Sequence, residues 1–192
     1  MKIVKYPHPT LRHKSKPVQR VDAELKRIVA EMFELMYEAR GIGLAANQVD
    51  LPLRLFIVNT AGEPGEGEEQ VFINPVLSRP KGIAEKEEGC LSLPGLYAPV
   101  KRPERIRVNA YTMAGEEIDC ELDGLEARVV QHETDHLDGV LFIDRLSETA
   151  QLAVADELDE FVGMFDEDRE LKLIPSDEVI HETLATWESK YC

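Results

Sequence analysis

The stretch Gln131–Gly139, QHETDHLDG, sets His132, Glu133 and His136 in an H-E-x-x-H pattern. On a helix, residues four apart stand one above the other on a single face. A helix over Gly124–Leu137 places Leu125, Val129, His132 and His136 within about 60° of arc at 100° per residue. Both imidazoles then continue an apolar stripe and are expected to face the core, with Glu133 on the flank. A neutral imidazole on an apolar wall needs a partner for each ring nitrogen. Two imidazoles so placed can meet that need by sharing a cation. By average residue usage the pattern arises by chance in fewer than about one chain in a hundred. The fold must therefore accommodate an inward-facing, metal-binding helix.

A catalytic metal site takes a third protein ligand and keeps one position open. Glu157 lies 21 residues past His136, within the range metallopeptidases use. The third histidine of H-E-x-x-H-x-x-G-x-x-H is absent: Gly139 is in place, but position 142 is Phe. Cys90, in EKEEGCLSLPG, is the other candidate, and on its own it reads equally as a ligand or a core residue.

Around this helix the chain predicts an α+β fold. Asp22 caps a helix with Leu25, Ile28, Met32, Leu35, Met36 and Ala39 along one stripe, and Gly41 is the expected stop. LRLFIVNT, QVFINPVLS, ERIRVNAYTM and EEIDCELDG read as strands. The last sets Ile118, Cys120 and Leu122 against Glu117, Asp119 and Glu121, so Cys120 reads as a small core residue, and MAGEE is the preceding hairpin turn. AGEPGEGEEQ reads as a loop. One helix is expected over ETAQLAVADELDEFVGMF and a last one after Pro175. Strands followed by helices without βαβ alternation predict small antiparallel or mixed sheets packed around the H-E-x-x-H helix, with a C-terminal helix.

The length of 192 residues fits one domain. No apolar run approaches the roughly 20 residues of a membrane helix, and the N-terminal stretch has no apolar segment of the secretory kind. Three scattered cysteines make no disulfide framework and suit a reducing cytosol. A formal net charge of −15 argues against strong nucleic-acid binding. From Ser147 onwards there are 13 acidic and 3 basic residues, which reads as a solvated acidic face.

Three segments in order, GIGLAANQV (Gly41–Val49), EGCLSLP (Glu88–Pro94) and QHETDHLDG, resemble the signature motifs of the peptide deformylases. YPHPTLRHKSKPV and FIDRLS are also similar to that family. GIGLAA formally matches a dinucleotide-binding G-x-G-x-x-A, but it follows a helix and precedes a strand, the reverse of the required context. The resemblance covers a catalytic domain of residues 1–148. Residues 149–192 are then an acidic helical extension, expected to pack on the same domain.

The resemblance implies that Cys90, His132 and His136 hold one divalent metal. Iron(II) is the ion usually implied; zinc, nickel or cobalt would suit the same donors. It implies removal of the N-formyl group from the N-terminal methionine of newly made polypeptides. Water activated by the metal attacks the formyl carbon, Glu133 moves the proton, and the Gln48 amide and Leu91 N–H receive the oxyanion. Ile42, Gly43 and Gly89 would border the peptide, and Leu125 and Val129 would line a methionine pocket. Glu88, Asp135 and Arg102 are expected behind the ligands. The setting implied is bacterial-type cytoplasm, with an organellar origin left open. Passing proximity to a ribosome is compatible with this, but the basic ribosome-docking helix of some relatives is not carried over to an acidic tail. The competing readings are a metallopeptidase using Glu157, and a module whose metal is structural.

Overall fold

The continuous apolar run LFIV is buried on both faces of a sheet, and it sets the layering. In the computed structural model, which describes residues 1–192, this run is strand β2 (Leu55–Val58). Leu55 and Ile57 pack into a cluster with helix α1 (Ala23–Glu38), while Phe56 and Val58 pack into a cluster with helix α2 (Gly124–Leu137). The sheet is antiparallel throughout, in the order β1 (Gly43–Ala45), β2, β3 (Gln70–Lys81), β6 (Arg105–Tyr111), β7 (Glu117–Asp123). Strands β4 (Ala84–Cys90) and β5 (Leu93–Arg102) form a separate two-stranded sheet. Helix α2 lies between the two sheets, touching β1, β2 and β7 on one side and bonding main-chain oxygens of Ala84, Val100 and Pro103 on the other.

The inward face of α1 is Leu25, Ile28, Val29, Met32, Phe33 and Met36. This corrects the expected stripe: Leu35 is half-buried and Ala39 exposed, because the sheet meets the helix a little to one side. Asp22 does cap it, accepting from Leu25 N–H at 2.9 Å. The stop also differs. Arg40, not Gly41, takes the left-handed conformation (φ +58°). Arg40 N–H bonds Tyr37 O and Gly41 N–H bonds Met36 O, the paired bonds of a Schellman ending with arginine in the usual glycine place. Helix α2 ends the same way on Gly139 (φ +73°), where a Cβ would stand 2.6 Å from Arg12 O.

The hairpin between β6 and β7 closes over Thr112–Glu116 with a 2.9 Å main-chain bond. The single helix expected after Ser147 is two, α3 (Glu148–Ala153) and α4 (Ala155–Glu170), broken at Val154, which turns its side chain into a third apolar cluster with Phe161, Leu96 and Phe142. Helix α5 (Asp177–Tyr191) follows and lays Tyr191 into the α1 cluster.

Candidate metal centre

Cys90 ends β4 where the pairing slips, from Gly89 opposite Tyr97 to Cys90 opposite Leu93. His132 and His136 stand one turn apart on α2. Cys90 Sγ is 3.2 Å from His136 Nε2, the two imidazole centroids are 5.0 Å apart, and one donor atom from each of the three residues lies within 4.8 Å of the others. A thiol and two imidazoles at this spacing fit a divalent transition metal. No fourth His, Cys, Asp or Glu joins them, as a closed structural site would require. Glu157 is exposed on α4 and outside the group, which removes it as a candidate third ligand.

A salt-bridge network holds one of the imidazole donors. His132 Nδ1 pairs with Glu88 Oε2 at 3.1 Å, which leaves Nε2 as the coordinating nitrogen. Glu88 is held by Arg102 through two bonds of 2.7 and 2.9 Å and also by Arg128. Arg102 reaches on to Asp135 at 2.7 Å, and Arg145 closes on the same carboxylate. Burial works against the Glu88 carboxylate, but His132 and Arg102 outweigh it and bring its pKa down to about 2. Arg128 and Arg145 were not among the expected residues. Arg128 sits one turn before His132 on a buried helix, and a charge in that place was a readable sign that something faces it.

Glu133 is 4 % exposed and its Oε2 has no partner. Burial pushes its pKa up to about 7. Gly43 lies directly over it: a Cβ there would stand 2.5 Å from Glu133 Oε1 and 2.8 Å from Val129 Cγ1. Gln48 is fully buried in the turn after β1. Its Oε1 accepts from Ala45 N–H at 2.9 Å, which aims Nε2 at Ser92 Oγ (3.1 Å) and Cys90 Sγ (3.5 Å). Ser92 is thus a further polar neighbour that sequence reasoning missed. Leu91, next to Cys90, is half-buried at the turn.

These groups open into a cavity of about 670 Å³. One wall is Gly41–Gly43 and the other Glu87–Cys90. Both β1 and β4 are edge strands on this side, so the cavity is a slot between two free sheet edges. The Ile42 carbonyl already accepts from Asn59 N–H at 3.0 Å. Val129 lines the floor. Leu125 also lines the cavity but is 51 % exposed, so it stands at the rim and does not face the core as its place on the stripe suggested.

The model of the family described as polypeptide deformylase matches residues 1–151. A protein of Rhodopirellula baltica named peptide deformylase is 48 % identical over 191 residues, covering 100 % of this chain and 95 % of that one. The peptide deformylase of Neisseria gonorrhoeae is 47 % identical, covering 79 % of this chain and 89 % of that protein. Among solved structures, a plant peptide deformylase 1B superposes with a TM-score of 0.87 at 42 % identity, covering 92 % of this chain and 95 % of that one. The Thermus thermophilus enzyme gives 0.75 at 44 %, covering 83 % and 95 %. A Cys/His/His donor set beside a buried glutamate, in a fold shared at these levels, places the chain in the peptide deformylase family.

Proposed function

We infer that this chain removes the N-formyl group from the N-terminal formyl-methionine of newly synthesised polypeptides, releasing formate. The observation that carries this reading is the convergence of Cys90 from β4 with His132 and His136 from α2, next to a buried Glu133 that is not part of the donor group. Cys90, His132 and His136 would hold one divalent ion. Iron(II) is the proposed ion in the cell, and zinc, nickel or cobalt suit the same donors. Such an ion supplies Lewis acidity, which acidifies water and polarises the formyl carbonyl.

The chain's own residues do the rest. Glu133 takes the proton of the attacking water at Oε2 and delivers it to the amine nitrogen as the C–N bond breaks. Its raised pKa suits that exchange near neutrality. Gln48 Nε2, held in place through its own Oε1, and Leu91 N–H donate to the oxygen of the tetrahedral carbon. The main chain of Ile42, Gly43 and Gly89 borders the peptide in strand fashion. Val129 and Leu125 offer apolar surface for the methionine side chain. Glu88, with Arg102 and Asp135 behind it, holds His132 in the tautomer that leaves Nε2 free.

The test is formate release from a formyl-Met peptide by iron-loaded protein without oxygen, since ferrous iron beside a thiolate invites oxidation. Cys90→Ala should abolish metal binding and turnover, and Glu157→Gln should change neither. The reverse result would overturn the assignment.

A further inference from the structure

Residues Lys2–Tyr6 run as a strap across the two loops that carry Gln48 and Ser92. Val4 N–H donates to Gln48 O at 2.8 Å and Tyr6 N–H to Ser92 O at 2.9 Å. Behind the strap is a second, partly open cavity of about 230 Å³. The strap forms one wall, His8 and Asp50 border it, and Phe161, Phe165 and Ile174 of the C-terminal extension face across it. None of its lining residues also lines the metal-centre cavity.

His8 is the buried polar side chain of this cavity, 5 % exposed. Its Nδ1 accepts from Thr10 N–H at 3.4 Å, which puts the proton of the neutral ring on Nε2. None of the protein's hydrogen bonds engages Nε2, which stays accessible from the cavity and open to an acceptor. Phe165 meets the ring edge-on at 6.2 Å. Lys2 and Lys5 on the lining are matched by Asp50 and Asp168, so the lining offers no net formal charge to a ligand. An apolar cavity of about 150 Å³ already accommodates benzene.

We propose that this cavity binds a small uncharged molecule with an apolar body, such as one aromatic ring or a branched alkyl group, and an oxygen that accepts from His8 Nε2. The ligand would rest against the strap, whose amides hold the Gln48 and Ser92 carbonyls, so binding there reaches the loops of the metal centre. This site goes beyond the deformylase reading and does not depend on the roles given to Gln48 or Glu133.

Phenol is the probe. The zinc-loaded full chain, labelled with ¹⁵N, is titrated and followed by amide shifts. Saturable shifts are expected at residues 3–8 and 161–175 and at the Gln48 and Ser92 loops. Toluene, with no acceptor, should bind about fivefold or more weakly, the loss of one hydrogen bond. His8→Phe should weaken phenol similarly, and His8→Gln, which restores an N–H donor, should recover most of it. Ile174→Trp, which fills the space, should remove the saturable shifts while the spectrum stays dispersed. No saturation up to about 20 mM phenol, shifts confined to the metal-centre cavity, or binding unchanged in Ile174→Trp would each overturn the site.

Discussion

Glu88 Oε2 stands 3.1 Å from His132 Nδ1 while its carboxylate is clamped by Arg102 and Arg128. One side chain therefore sets a ligand's tautomer and pairs with two buried guanidinium groups. Glu88→Ala should lower metal affinity by about 10–100-fold, as losing a ligand's supporting carboxylate does. It should also destabilise the fold by about 3–5 kcal/mol, because Arg102 keeps only Asp135 and Arg128 keeps only main-chain acceptors, leaving buried positive charge under-compensated. Glu88→Gln keeps the shape and should retain more stability than Glu88→Ala. Metal competition and denaturant titration read the two effects separately; unchanged metal affinity in both variants would exclude the tautomer role.

Glu133 is a different kind of buried acid, with one oxygen unpartnered and no role in the donor group. Glu133→Gln should leave metal content near one per chain and lower kcat by about 10²–10⁴-fold, the range for losing a general base. Loss of the metal in this variant would mean that Glu133 supports the site structurally. Normal turnover would favour a module with a structural metal.

The reach of sequence reasoning differed between the two halves of this site. Helix α2 was legible to its ends, because H-E-x-x-H and Val129 agree on one period. Strands β4 and β5, which deliver Cys90, were not. AEKEEGC carries its charges into solvent except at Glu88, and Pro94, Gly95 and Pro99 mask the inward alternation of Leu96, Ala98, Val100 and Arg102. The inward residue that closes that alternation is an arginine, legible only once its carboxylate partners are in place. Arg40 escaped notice for a related reason: it occupies a left-handed position that sequence rules reserve for glycine.

Gly43 is a close-approach glycine. A methyl group there would overlap both the Glu133 carboxylate and Val129. Gly43→Ala should cost about 1–3 kcal/mol of stability through overpacking and reduce kcat more than KM, since the displaced group is the proton carrier. Activity close to that of the parent would show that the β1 edge can move away from α2.

His8 gives the fold an acid sensitivity. Burial pushes its pKa below the ordinary value, with Asp50 partly opposing. The unfolded chain then takes up the proton first as pH falls through about 6.5. This group costs the fold nothing above that pH, and stability is lost below it until the folded form is protonated as well. The Tm of the zinc-loaded protein should fall from pH 7.5 to 5, and His8→Gln should flatten that slope. An equal slope in the variant would assign the acid limb to other groups.

We propose that the acidic extension serves the fold and not the chemistry. Tyr191 is 1 % exposed within the α1 cluster, and its hydroxyl donates to Asp22, the residue that caps α1. Gln19 N–H bonds Tyr191 O, Glu188 pairs with His13 and Lys16, and Phe161 of α4 enters the cluster that contains Leu96 and Phe142. Tyr191→Ala should therefore cost about 3–5 kcal/mol, the range for removing a buried aromatic. Truncation after Glu148 should cost at least as much, and metal binding should persist wherever the shortened chain stays folded. The negative face of α4 should be repelled by ribosomal phosphates. Truncation should therefore not lower the ratio of turnover on ribosome-bound to free formyl-peptides. A truncated protein of normal stability that fails only on ribosome-bound chains would assign the extension a docking role instead.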